Sequence, residues 1–115
     1  MASRLRVRNM SRVYDYTLVL DGRELLALPS LQEAELPLAP GDHEISFRAG
    51  QVDDLPSTCK PIFVTIDDGR ELPLQVDTRH FAICIADENG IQLNGKHGFI
   101  AGRVANGVYI NNPIG

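Results

Sequence analysis

Apolar and polar residues alternate along most of this chain, in short runs that break at glycine, proline, asparagine and aspartate. Alternation with period two puts successive side chains on opposite faces of an extended strand. Leu5 and Val7 alternate with Arg4, Arg6 and Arg8, and Tyr14 to Leu20 is aromatic and β-branched up to Asp21-Gly22. Within Glu33 to Leu38, the residues Ala34, Leu36 and Leu38 share one face. After Pro40-Gly41-Asp42, Ile45, Phe47 and Ala49 face inward while Glu44, Ser46 and Arg48 face water. Residues 50–58 read as a polar loop, and strands follow at Pro61 to Ile66, Glu71 to Val76 and His80 to Ala86. The last of these holds the longest apolar run, Phe81 to Ala86, as a buried strand requires. Helix signals are nearly missing. Pro29 and Ser30 interrupt the best candidate, Glu24 to Leu36, and leave room for one helical turn near Ser30 to Glu33.

Turn chemistry organises these strands. The pentapeptide Asp-Gly-Arg-Glu-Leu occurs at Asp21–Leu25 and again at Asp68–Leu72. A two-residue loop at Asp21-Gly22 sets Leu18 opposite Leu25 and Tyr16 opposite Ala27. The same register at Asp68-Gly69 sets Ile66 against Glu71, so a three-residue loop is expected there, with Gly69 left-handed, Val64 opposite Leu72 and Ile62 opposite Leu74. The repeat is turn chemistry used twice, not a duplicated site. Beyond Asp87, the pairs Asn89-Gly90, Asn94-Gly95 and Asn106-Gly107 each nominate a chain reversal, separated by Ile91-Gln92-Leu93, Phe99-Ile100-Ala101 and Val108-Tyr109-Ile110. The expected fold is all-β: an antiparallel β-sandwich with a C-terminal β-meander. A single domain spans 1–115, with a sandwich core in 1–78 and either added strands or a small annex in 79–115.

Composition narrows the function classes. A 43% hydrophobic fraction over 115 residues suits one globular core, and a net charge of −4 argues against nucleic acid as a partner. No run approaches the roughly eighteen apolar residues of a membrane span. The N-terminus carries Arg4, Arg6, Arg8 and Arg12 without an apolar stretch, so no signal peptide is visible. The compartment is left open, with the cytoplasm favoured on that ground; the Arg-rich segment also has the composition of a transit peptide, but its alternation fits a charged strand better.

Candidate chemistry is sparse. Of the three histidines, none lies at metal-ligand spacing from another His or Cys: His43 reads as a strand-rim residue, His80 and His97 as solvent-facing. Cys59 and Cys84 read as reduced structural thiols, although Lys60 beside Cys59 could lower its pKa. Asp53-Asp54, Asp67-Asp68 and Asp87-Glu88 sit in predicted turns, where aspartate bonds its own backbone. No serine lies in a G-x-S-x-G setting. Asn9-Met10-Ser11 fits a glycosylation acceptor. No catalytic residue, metal or cofactor is expected.

The segment Val19 to Gly22, Ala34 to Leu38, and Pro40-Gly41-Asp42-His43 running on to Arg48 resembles PEGA-type and related transthyretin-like or immunoglobulin-like small β-sandwiches of bacteria. The resemblance covers about Tyr14 to Val76. It implies a non-enzymatic module, often appended to surface or envelope proteins, in which Pro40, Gly41 and His43 are fold determinants. The expected function is therefore a binding or adaptor module for a protein partner or for a second copy of itself. Leu5 to Arg8 and Val108-Tyr109-Ile110 are the expected edge strands, the second either pairing within the domain or engaging a partner. A ligand- or glycan-binding module stacking on Tyr14, Tyr16 and Tyr109 is the alternative, as is a structural part of a virion or secretion machine.

Overall fold

Ten strands build two sheets in the computed structural model, which describes residues 2–49, 59–80, 82–95 and 99–113. The expected polar loop at 50–58 with Asp53-Asp54, and the residues Phe81 and His97, lie outside the described residues. In chain order the strands are β1 (Ser3–Asn9), β2 (Tyr16–Leu20), β3 (Arg23–Leu28), β4 (Glu33–Leu38) and β5 (Gly41–Ala49). They continue as β6 (Ile62–Ile66), β7 (Glu71–Arg79), β8 (Ala82–Ala86), β9 (Ala101–Ala105) and β10 (Val108–Asn111). A four-stranded sheet runs β4-β1-β7-β8 and a six-stranded sheet runs β3-β2-β5-β6-β10-β9. No helix occurs among the described residues: at Ser30–Gln32 the chain makes a tight turn instead, closed by Gln32 N–H on Pro29 C=O at 3.0 Å. This is an all-β sandwich, antiparallel throughout except where β1 runs parallel to β7.

Alternation decides which face is inside. Leu5 and Val7 of β1, Leu72, Leu74 and Val76 of β7, and Ile83 and Ile85 of β8 are buried from one sheet. Tyr16, Leu18, Ile45, Phe47, Ile62, Val64 and Ile66 meet them from the other. Burial of this apolar set contributes most of the folding free energy, at about 25 cal/mol per Å².

Four expectations are corrected. Leu5 to Arg8 is not an edge: β1 lies between β4 and β7. Its arginines are accommodated there because the neighbouring strands carry acids, with Arg4–Glu35 at 3.8 Å, Arg6–Glu33 at 3.5 Å and Arg6–Glu71 at 3.2 Å. Val108 to Ile110 is not an edge either, since β10 lies between β6 and β9.

The other two corrections concern the repeated pentapeptide. At Asp21-Gly22 both residues have positive φ (51° and 81°), as a tight hairpin demands. Leu20 opposes Arg23, but a bulge at Leu25 then shifts the register, so Leu18 meets Leu26 and Tyr16 meets Leu28. The bulge leaves Leu25 48% exposed and buries Leu28. At the second copy Gly69 is left-handed (φ 72°), yet β6 and β7 do not pair; they belong to different sheets. Their apolar faces point at each other across the core, and both sets are buried. Ser3 clasps this corner, donating from Oγ to Asp67 C=O (2.5 Å) and accepting from Arg70 N–H (3.2 Å).

The C-terminal segment is no separate annex. The expected boundary near residue 78 falls inside β7, β8 joins the smaller sheet, and β9 and β10 join the larger. Ile91-Gln92-Leu93 forms only an isolated bridge, Gln92 to Ala86. In all three Asn-Gly pairs it is the glycine, not the asparagine, that has positive φ.

Candidate functional site

His43 is held at the rim of the larger sheet by two turns. Its Nδ1 lies 2.7 Å from Asp21 Oδ2 in the β2–β3 turn, and its Nε2 lies 2.6 Å from Ala39 C=O before β5. A carbonyl and a carboxylate only accept, so the two contacts are both hydrogen bonds only when both ring nitrogens carry protons, and the site favours the imidazolium. Burial alone would lower its pKa, but the bonds to Asp21 and Ala39 and the charges of Asp21 and Asp42 outweigh it, and the net shift is upward. For Asp21, burial pulls upward and is outweighed by the bond from Glu44 N–H and by His43, leaving its pKa lowered. His43 is a structural clamp with no nitrogen free to take a proton or bind a metal.

Beside this clamp the outer face of β5, β6 and β10 forms an open depression of about 520 Å³, lined by Asp42, Glu44, Phe63, Thr65 and Asn111. Thr65 Oγ1 donates to Asp42 at 2.6 Å, and Asn111 Nδ2 donates to Thr65 at 2.5 Å. Among the described residues no group of three or more His, Cys, Asp and Glu side chains is placed to hold a metal.

Both cysteines are free, and burial pushes each thiol pKa up, which disfavours the thiolate a nucleophile needs. Asn9, the glycosylation candidate, is fully buried; its Nδ2 donates to Tyr14 C=O (2.9 Å) and Leu28 C=O (3.0 Å), so the folded chain cannot present it to a transferase.

The three tyrosines do not form a stacking platform. Tyr16 is 1% exposed, its hydroxyl sharing a 2.5 Å hydrogen bond with Thr78, and Tyr14 is half-buried against the core. Tyr109 alone stands out on the surface, opposite Arg103. Val108 and Ile110 point inward and are buried, because alternation on β10 gives only Tyr109 and Asn111 to the outside.

Edges are where the two sheets differ. On the smaller sheet, β4 carries Glu33, Glu35 and Pro37, and proline has no N–H to offer a new strand. The free side of β8 is filled by Asn94, which is 2% exposed. Asn94 Oδ1 accepts from Ile85 N–H (2.8 Å), Nδ2 donates to Ile83 C=O (3.1 Å) and Lys60 C=O (2.7 Å), and Leu93 N–H reaches Ile85 C=O at 2.7 Å. A side chain thus stands in for a strand.

The larger sheet ends in β3 and β9, which carry neither proline nor such a cap among the described residues. Leu25 is exposed on β3, and β9 is flanked by exposed Ile100 and Tyr109. Gly102 leaves room inside β9 for Phe99: a Cβ there would lie 2.6 Å from its ring. The sequence reading placed this strand at Phe99-Ile100-Ala101, whereas β9 runs Ala101–Ala105, because Gly98 and Gly102 dilute the pattern.

No family model, curated protein or solved structure matches the chain. The likeness to PEGA-type sandwiches therefore rests on turn residues, and no relative assigns a role to any side chain. No helix among the described residues is long and apolar enough to cross a membrane.

Proposed function

We propose that the chain is a non-enzymatic binding module that receives an extended strand, from a partner protein or a second copy, on the larger sheet. One observation carries this reading: the smaller sheet's edges are closed by Pro37 and by the Asn94 cap, whereas no described residue covers β3 or β9, and both are flanked by exposed apolar side chains. An open edge offers a row of unpaired N–H and C=O groups, and that row is the template for strand addition. Support against catalysis comes from the same chemistry: His43 is doubly occupied, and both thiols are pushed toward the protonated form.

Leu25→Lys on β3 and Ala101→Pro on β9 test it, each at an exposed position. Sedimentation of the pure chain and affinity capture with the tagged chain are compared across wild type and both variants. At least one variant should lose association while its melting temperature stays within a few degrees of wild type. Association that survives in both variants would sink the reading.

A further inference from the structure

We propose that Asn106, at the tip of the β9–β10 hairpin, is a self-modification site that converts to isoaspartate while Asn94-Gly95 and Asn89-Gly90 are held back by the fold. The backbone nitrogen of Gly107 bonds to Cγ of Asn106 and gives its proton to solvent. The bond from Cγ to Nδ2 breaks, and ammonia leaves. Water then opens the cyclic imide at one of its two carbonyls, yielding aspartate or isoaspartate.

Three differences between the pairs carry the inference. Asn106 is exposed, and its side-chain amide makes no hydrogen bond among the described residues, nor does Gly107 N–H. Asn94 is buried with its amide oxygen and nitrogen both engaged, at 2.8 Å to Ile85 and at 2.7 and 3.1 Å to Lys60 and Ile83. Asn89 is exposed, but the attacking nitrogen of Gly90 is tied to Asp87 C=O at 3.0 Å, inside a turn also fixed by Asp87 Oδ1 on Asn89 N–H and Ile91 N–H.

Arg70 adds a further distinction. Its stem covers Gly107 so closely that a Cβ there would lie 2.5 Å from Arg70 Cγ and 2.9 Å from Nε. A guanidinium packed against Gly107 favours the anion through which attack begins. The product matters for the fold, because isoaspartate adds a methylene to the main chain of the turn. That turn closes the Ala105–Val108 pair and anchors Asp67 N–H on Gly107 C=O at 2.8 Å. The inference is independent of strand addition.

The test stores the pure full-length chain in mildly alkaline buffer, with and without urea, and maps peptides by mass spectrometry with an isoaspartate-specific methylation assay. In the native chain Asn106 should convert first and Asn89 several-fold more slowly. Asn94, with three hydrogen bonds to break, should run at least ~100-fold below its rate in urea. Arg70→Gln should slow Asn106 in the native chain and leave its rate in urea unaltered. Asn94 keeping pace with Asn106 in the native chain would overturn the proposal, and so would an Asn106 that stays intact natively while urea converts it.

Discussion

A protonated His43 ties its clamp to pH. Its pKa is raised above the ordinary 6.5, so its stabilisation is fully present below that value and is lost as pH rises through the folded pKa. Asp21 is lowered from 3.8, so its share is present above that value and is lost as pH falls through its folded pKa. Stability from the pair therefore peaks between those limits. Thermal melts across the alkaline side should fall for wild type and stay flatter for His43→Gln; parallel curves would refute the imidazolium assignment. Asn9 is a second residue whose worth lies in position. Asn9→Ala takes the amide donor from the buried carbonyl of Leu28 and the part-buried carbonyl of Tyr14, at a cost of about 2 kcal/mol in urea unfolding.

Among the elements, β8 and β10 show how little a strand's own pattern says about its neighbours. The apolar run at Ala82–Ala86 marks β8 as buried, but the closure of its free side depends on the amide of a residue eight positions beyond its end. Asn94→Ala should open that edge, and amide exchange at Ile85 should accelerate by about tenfold or more. β10 reads as a terminal edge yet pairs with both β6 and β9. Truncation after Asn106 would strip the partner from both strands and expose Ile62–Ile66, so far-UV spectra of the truncated chain should show loss of the fold. A cooperative melt at the wild-type temperature would contradict the topology. Within the repeated pentapeptide, the left-handed glycine was legible in both copies. Its outcome was not: one copy turns a hairpin and the other carries the chain between sheets.

At the scale of the whole molecule, the first and last strands, β1 and β10, both lie inside their sheets. β1 reaches across to β7 in parallel, over sixty residues away in sequence, and β10 closes onto β6. Such pairings must pay loop-closure entropy before any contact rewards it, so refolding should take about milliseconds to seconds. Stopped-flow refolding complete within microseconds would be incompatible with this order of strands.

The chain's own alternation determined that the fold is all-β, which residues face the core, and where it turns, because side-chain direction in a strand depends only on local parity. The inward faces of β4, β5 and β7 were readable on that basis. Strand neighbours, the bulge at Leu25 and the choice of which edges stay open were decided in three dimensions. Arg4 to Arg8 has the charge pattern of an edge and sits mid-sheet because distant Glu33, Glu35 and Glu71 meet it. Asn94 closes β8 through an amide whose reach no periodicity reports. Local patterning sets the face a residue turns toward; only packing the two sheets together sets what it finds there.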